Sequence, residues 1–169
     1  MATLRWHAVC PGGEKIHLAC VLPPSKWLAV EHTHDFYECF LVERGHGRHL
    51  VSGEEFPLYP GELHFIRPEH SHGFKSGRAE QLCFTNIAFK ASLVEAIRRR
   101  HSYPHPVWKA GCGPQAIVLN QHQSQQFVGL VSEVAASPRE SVDAAYFLLG
   151  LRRLLRPITK GAVDSNLPA

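Results

Sequence analysis

The sequence predicts a mainly β protein: a barrel or sandwich of short strands followed by a C-terminal α-helical pair. From about Thr3 to Phe89, short apolar-rich runs alternate with turn signals at Pro11-Gly12-Gly13, Pro23-Pro24, Gly45-His46-Gly47, Ser52-Gly53, Pro60-Gly61 and Ser76-Gly77. After Lys90 the apolar residues take up helical spacing instead. The chain of 169 residues, 44% hydrophobic and 20% charged, is of the length of one structural domain and can bury a sizeable core.

The clearest strands are Lys15 to Leu22, Tyr37 to Glu43, Gly47 to Val51, Glu62 to Ile66 and Gln81 to Phe89, all rich in Val, Ile, Leu, Phe and Tyr. Ser52-Gly53 suits a tight hairpin, because glycine supplies a positive φ. Leu93, Val94 and Ile97 predict a short exit helix that runs into Arg98-Arg99-Arg100 and is stopped by Pro104 and Pro106, so residues 1–100 form the barrel with its exit helix. Residues 101–157 are then a loop, irregular from His101 to Gln123, and the helix pair, which docks on the barrel or forms a dimer interface; residues 158–169 read as a disordered tail or severed linker.

In the pair, Phe127, Leu130, Val131 and Val134 mark the first helix. Ser137 with Glu140 predicts a capping box opening the second at Pro138. That last helix, Pro138 to Arg156, has one apolar stripe at Ala144, Phe147, Leu148, Leu151 and Leu155 and another at Val142, Ala145 and Leu149. Docking on the barrel buries one stripe. The other then needs its sister helix or the same helix of a second copy, and a homodimer through these helices is expected.

Five cysteines, an odd number without CxxC spacing, sit mostly in apolar runs and imply a reducing, cytoplasmic setting. The start MATLRWHAVC lacks a charged region followed by an apolar run, and no stretch reaches the roughly eighteen apolar residues of a membrane span. A soluble protein without membrane partners is expected. The net charge of +3 is too small to imply nucleic acid, and the arginines cluster at predicted helix ends, where they answer the helix dipole.

Twelve histidines are the compositional oddity, and their placement carries the chemistry. His32-Thr33-His34 is followed by Glu38 and Gly45, then by Pro60-Gly61-Glu62, and finally by Arg67-Pro68 and His72. This order resembles the cupin superfamily, whose first motif has HxH, a glutamate and a glycine at this spacing and whose second has a glycine-acid step, a proline and a histidine. The opening glycine is replaced by Lys26, and His70 is an alternative register for His72. The resemblance implies a cupin barrel, a double-stranded β-helix or jelly roll, with His32, His34, Glu38 and His72 converging on one interior pocket. Alternate strand residues share a face, which lets the HxH pair point inward together. Three imidazoles and a carboxylate would leave open positions on one divalent ion, Fe, Mn, Ni or Zn, and the ligands alone do not choose among them.

His64 and His70 read as satisfied core or surface histidines, and His101 and His105 are separated by a helix-breaking proline. Trp27, just before HxH, is the best-placed aromatic to stack on a sugar ring and joins the ligand-binding set. No catalytic residue is assigned: nucleophile-elbow, P-loop and dinucleotide patterns are absent from the sequence.

The segments HTHDFYECFLVERGHGRHLVSGEEFPLYPGELHFIRPEHSHGF and FTNIAFK look more narrowly like the N-terminal ligand-binding and dimerisation domain of AraC-type transcription regulators, over roughly residues 26–100. That resemblance implies an effector-sensing domain for a sugar or other small metabolite. DNA would be read only through helix-turn-helix units, for which residues 158–169 are too short. The alternative is a stand-alone metal-dependent cupin enzyme, a dioxygenase or isomerase, with the same four residues as ligands.

Overall fold

The computed structural model describes residues 2–23, 28–76, 81–101 and 115–155; Trp27, Trp108, Cys112 and the 158–169 tail lie outside them. In chain order the elements are β1 (Ala2–Leu4), α1 (Trp6–Val9), β2 (Ile16–Val21), β3 (Leu28–His34), β4 (Phe36–Arg44), β5 (Gly47–Val51), β6 (Glu54–Leu58), β7 (Glu62–Ile66), β8 (His72–Ser76), β9 (Cys83–Lys90), α2 (Ala91–His101), β10 (Gln115–Val118), α3 (Gln121–Ala135) and α4 (Ser141–Leu155). They form two five-stranded sheets, ordered β1-β3-β8-β5-β6 and β10-β7-β4-β9-β2. From β3 to β9 the chain crosses between the sheets at every step except the β5–β6 hairpin, and β3 with β8, β4 with β7 and β5 with β6 pair antiparallel, the winding of a jelly roll. The predicted cupin-type barrel is therefore the observed fold.

Period-two patterning decides what each sheet faces. On the second sheet, Tyr37, Cys39, Leu41, Leu63, Phe65, Ile87 and Phe89 point outward into one apolar cluster with Phe127, Val134, Phe147, Leu148 and Leu151 of the helices. The alternate residues Phe40, Val42, Ile66 and Phe84 point inward and meet Leu58 and Phe74 of the first sheet. The β5–β6 hairpin turns at Ser52 and Gly53, both at positive φ, as a two-residue turn of this kind requires.

Two local expectations are corrected. The 115–123 stretch is regular: Gln115–Val118 adds an edge strand to β7, and Asn120 with Gln123 forms the capping box of α3. The last helix begins at Ser141, three residues after Pro138. Ser137 Oγ is engaged at the end of α3, donating to the Val134 carbonyl and accepting from the Arg139 N–H, and Arg139 takes φ 61°, which no helix can continue through. Asp143 then accepts from the Glu140 N–H in place of the predicted box.

The two stripes of α4 differ, and of the second Ala145 is half-buried against the core. Ala144, Phe147, Leu148, Leu151 and Leu155 are buried, whereas Val142 is 71% exposed and Leu149 43%. Among the described residues no helix is long and apolar enough to cross a membrane.

Candidate functional site

The site begins with an irregularity in β3. Ala29 pairs with Phe74 and His32 with His72, three residues on one strand against two on the other, so β3 carries a bulge that turns the HxH pair toward the interior. The chain then corners at Asp35, whose side chain accepts from the Trp6 N–H at 2.6 Å. Beyond the corner β4 places Phe36, Glu38 and Phe40 on the inner face. The His34 ring stacks on Phe36 at 4.3 Å, and its Nδ1 lies 2.6 Å from the Phe36 carbonyl.

A carbonyl only accepts, so His34 Nδ1 is the protonated nitrogen and Nε2 keeps its lone pair. That Nε2 lies 3.4 Å from Glu38 Oε2, and His72 Nε2 lies 3.9 Å from the same oxygen. Ligand atoms of His34, Glu38 and His72 all fall within 4.8 Å of one another, and all three residues are buried. Metal–ligand bonds of about 2.1 Å at a tetrahedral angle separate neighbouring ligands by roughly 3.4 Å, so this trio has close to the spacing a small divalent ion needs.

The electrostatics lead to the same need for a positive charge. Burial pushes the Glu38 carboxyl up to about 8, with the hydrogen bond from Asn86 acting the other way. Burial also pushes His34 down to about 4, and holds His72 and His49 well below the ordinary imidazole range, with neighbouring histidines adding to the effect on both. An ionised Glu38 facing the His34 Nε2 lone pair is unfavourable, and either a proton or a cation between them removes the conflict. His34 Nε2 and His72 Nε2 are buried without a hydrogen-bond partner among the described residues, which leaves both free to ligate a cation.

His32 stands one ring further out. It is half-buried, its ring centroid is 4.8 Å from that of His72 and 6.5 Å from that of His34, and its Nδ1 is 3.1 Å from the Val30 carbonyl. The structure thus brings three of the four expected ligands into a tight group, with His32 beside it. His70 is bound to Arg67, and His64 stacks on Phe40 at 4.6 Å and bonds Glu62 at 3.2 Å, so both are partnered as the sequence suggests.

Two interior residues escape the sequence reading. His49 on β5 is buried, with Nε2 3.3 Å from His72 Nδ1, and holds the His72 ring from behind. Asn86 on β9 pairs across the sheet with Phe40, which puts it on the inner face, where it hydrogen-bonds Glu38. The available signal was parity: Val51 lies opposite His72, so His49, two residues earlier, shares its face.

Comparison with known proteins agrees with this architecture. The family described as AraC-like ligand binding domain matches residues 25–156. The HTH-type transcriptional activator RhaS of Pectobacterium carotovorum subsp. carotovorum (strain PC1) is 38% identical over 131 residues, 75% of this chain and 46% of that protein. RhaS of Klebsiella pneumoniae (strain 342) is 30% identical over 111 residues, 66% of this chain and 39% of that protein. The chain spans less than half the length of these curated relatives. Apo ToxT from Vibrio cholerae strain SCE256 shares the fold with a TM-score of 0.63 at 9% identity, over 91% of this chain and 60% of that one.

Proposed function

The chain belongs to the family of AraC-like ligand-binding domains, and on that premise we propose that it senses a sugar or other small metabolite in its barrel and dimerises through its C-terminal helices. The buried trio of His34, Glu38 and His72 in the interior is the observation that carries this reading. The relatives are named HTH-type transcriptional activators, which supports a cytoplasmic protein whose DNA contacts come from a helix-turn-helix part outside residues 25–156.

His34, Glu38 and His72 would hold a divalent ion, Fe, Mn, Ni or Zn, with His32 nearest as a further ligand. The ion would supply a Lewis-acidic centre with positions open to an effector oxygen. Those open positions also favour the second reading, a metal-dependent dioxygenase or isomerase. Mass spectrometry of protein purified without chelator or a histidine tag checks the site: one equivalent of metal is expected, lost in His34→Ala and His72→Ala. A parent without metal leaves Glu38 protonated and the pocket binding its effector by hydrogen bonds alone. The effector reading itself fails if no small metabolite raises the melting temperature of the parent more than that of His34→Ala.

The dimer rests on Val142, Tyr146 and Leu149, which leave α4 with an exposed apolar stripe beside the buried one. Val142→Asp with Leu149→Asp is expected to convert a dimer to a monomer in sedimentation equilibrium while leaving the circular dichroism spectrum unchanged. A double variant that sediments as the parent does would exclude this face.

A further inference from the structure

Two cysteines far apart in sequence meet on the outer face of the second sheet. Cys20 on β2 lies opposite Thr85 of β9, and Cys83 stands two residues before Thr85 on the same strand, so both share the face of Leu18 and Ile87. Their side chains are in hydrogen-bond contact. Cys83 Sγ also donates to Glu43 Oε2 at 3.7 Å, and the other oxygen of that carboxylate accepts from Thr85 Oγ1.

The pair is unequal in a useful way. Cys20 is the exposed thiol among the described cysteines, whereas Cys10, Cys39 and Cys83 are buried. Burial, with Cys20 and Glu43 adding to it, pushes the Cys83 thiol up, so it stays protonated and shielded until a partner sulfur beside it becomes electrophilic. A solute oxidant therefore meets Cys20 first.

We propose that Cys20 and Cys83 form a reversible oxidation site for hydroperoxides, closing a disulfide that ties β2 to β9. With hydrogen peroxide, Cys20 Sγ attacks one oxygen, the O–O bond breaks, and the sulfenic acid forms as one water leaves with the Cys20 proton. Cys83 Sγ then attacks Cys20 Sγ; the S–S bond forms, the S–O bond breaks, and the hydroxyl leaves as a second water with the Cys83 proton, which Glu43 is placed to relay. The two thiols together give up two electrons, and one peroxide is reduced to two waters. Diagonal neighbours in a sheet stand roughly 7–8 Å apart at Cα, the upper limit of what a disulfide spans. Bonding thus draws β2 inward, which an edge strand paired with β9 alone allows. A bond closed under such strain is readily reduced again, as a switch in a reducing compartment requires.

Treating the 169-residue chain with hydrogen peroxide and then alkylating it in denaturant tests this by mass spectrometry. After oxidation only three of the five cysteines are expected to be alkylated, with Cys20 and Cys83 joined in one peptide of a non-reducing digest. All five are expected to return after dithiothreitol. The closed loop encloses β3 to β8, so the urea midpoint of the oxidised parent is expected to rise. Cys83→Ser is expected to stop at the sulfenic acid, seen as a dimedone adduct on Cys20, and Glu43→Gln to show that adduct transiently before the disulfide closes. A parent that keeps five alkylatable thiols, or whose Cys20 bonds a second chain instead of Cys83, overturns the site whether or not the variants fold. Closure in Glu43→Gln as fast as in the parent overturns the relay alone.

Discussion

Gly45→Ala is expected to destabilise the protein by about 4 kcal/mol, combining roughly 1–2 kcal/mol for a side chain at positive φ with about 1–3 kcal/mol for overpacking. Gly45 has φ 79°, and a Cβ there would stand 2.1 Å from the Gln81 carbonyl oxygen and 2.8 Å from the Leu82 nitrogen. Both neighbours are backbone at the entry to β9, so relief requires β4 and β9 to part where Arg44 pairs with Cys83. Gly53 is the control: its φ is 87°, but nothing lies within 4 Å of its Cβ position. Gly53→Ala is therefore expected to cost only the conformational part, and urea denaturation midpoints for the two variants isolate the clash. Equal losses would mean that the close approach to Gln81 has no energetic weight.

The same glycine illustrates how far the sequence reaches. The resemblance places a glycine seven residues after Glu38 without giving its reason, and the structure supplies one: β9 runs too close for any side chain. The barrel was legible because alternation and turn residues act locally. His34, Glu38 and His72 were legible because their order along the chain follows the winding of the strands. His49 and Asn86 were not, since a polar residue in an alternating strand looks the same whether it faces water or the interior. Only the pairing of Val51 with His72 and of Asn86 with Phe40, between strands far apart in sequence, decides the face. The predicted capping box failed for a related reason. Asn120-Gln123 and Ser137-Glu140 carry the same signature, but Ser137 is taken up at the end of α3 and Arg139 leaves the helical region. Trp27 lies outside the described residues, so its stacking role stays an expectation of the sequence.

Phe147→Ala is expected to cost about 3–5 kcal/mol, the range for deleting a fully buried aromatic ring. Phe147 is completely buried on α4, with its ring centroid 5.6 Å from Phe89 of β9 and 5.8 Å from Phe127 of α3. It joins three elements at once, so its removal opens a cavity between the barrel wall and the helix pair rather than inside either. Amide exchange in α3 and α4 should therefore accelerate more than exchange in β4 and β7, whose pairing is untouched. The functional consequence follows from β9, which carries Ile87 and Phe89 on its helix-facing side and Asn86 and Ala88 on its interior side. A molecule held against the interior side of β9 restrains the strand on which Phe147 rests, and any transfer to α3 and α4 would be a shift between two packings of that contact. In the parent, a bound effector should slow exchange in α4; in Phe147→Ala the same occupancy should leave α4 unchanged while still protecting β9. Protection of α4 that survives in Phe147→Ala would show that the helices sense the barrel by another route.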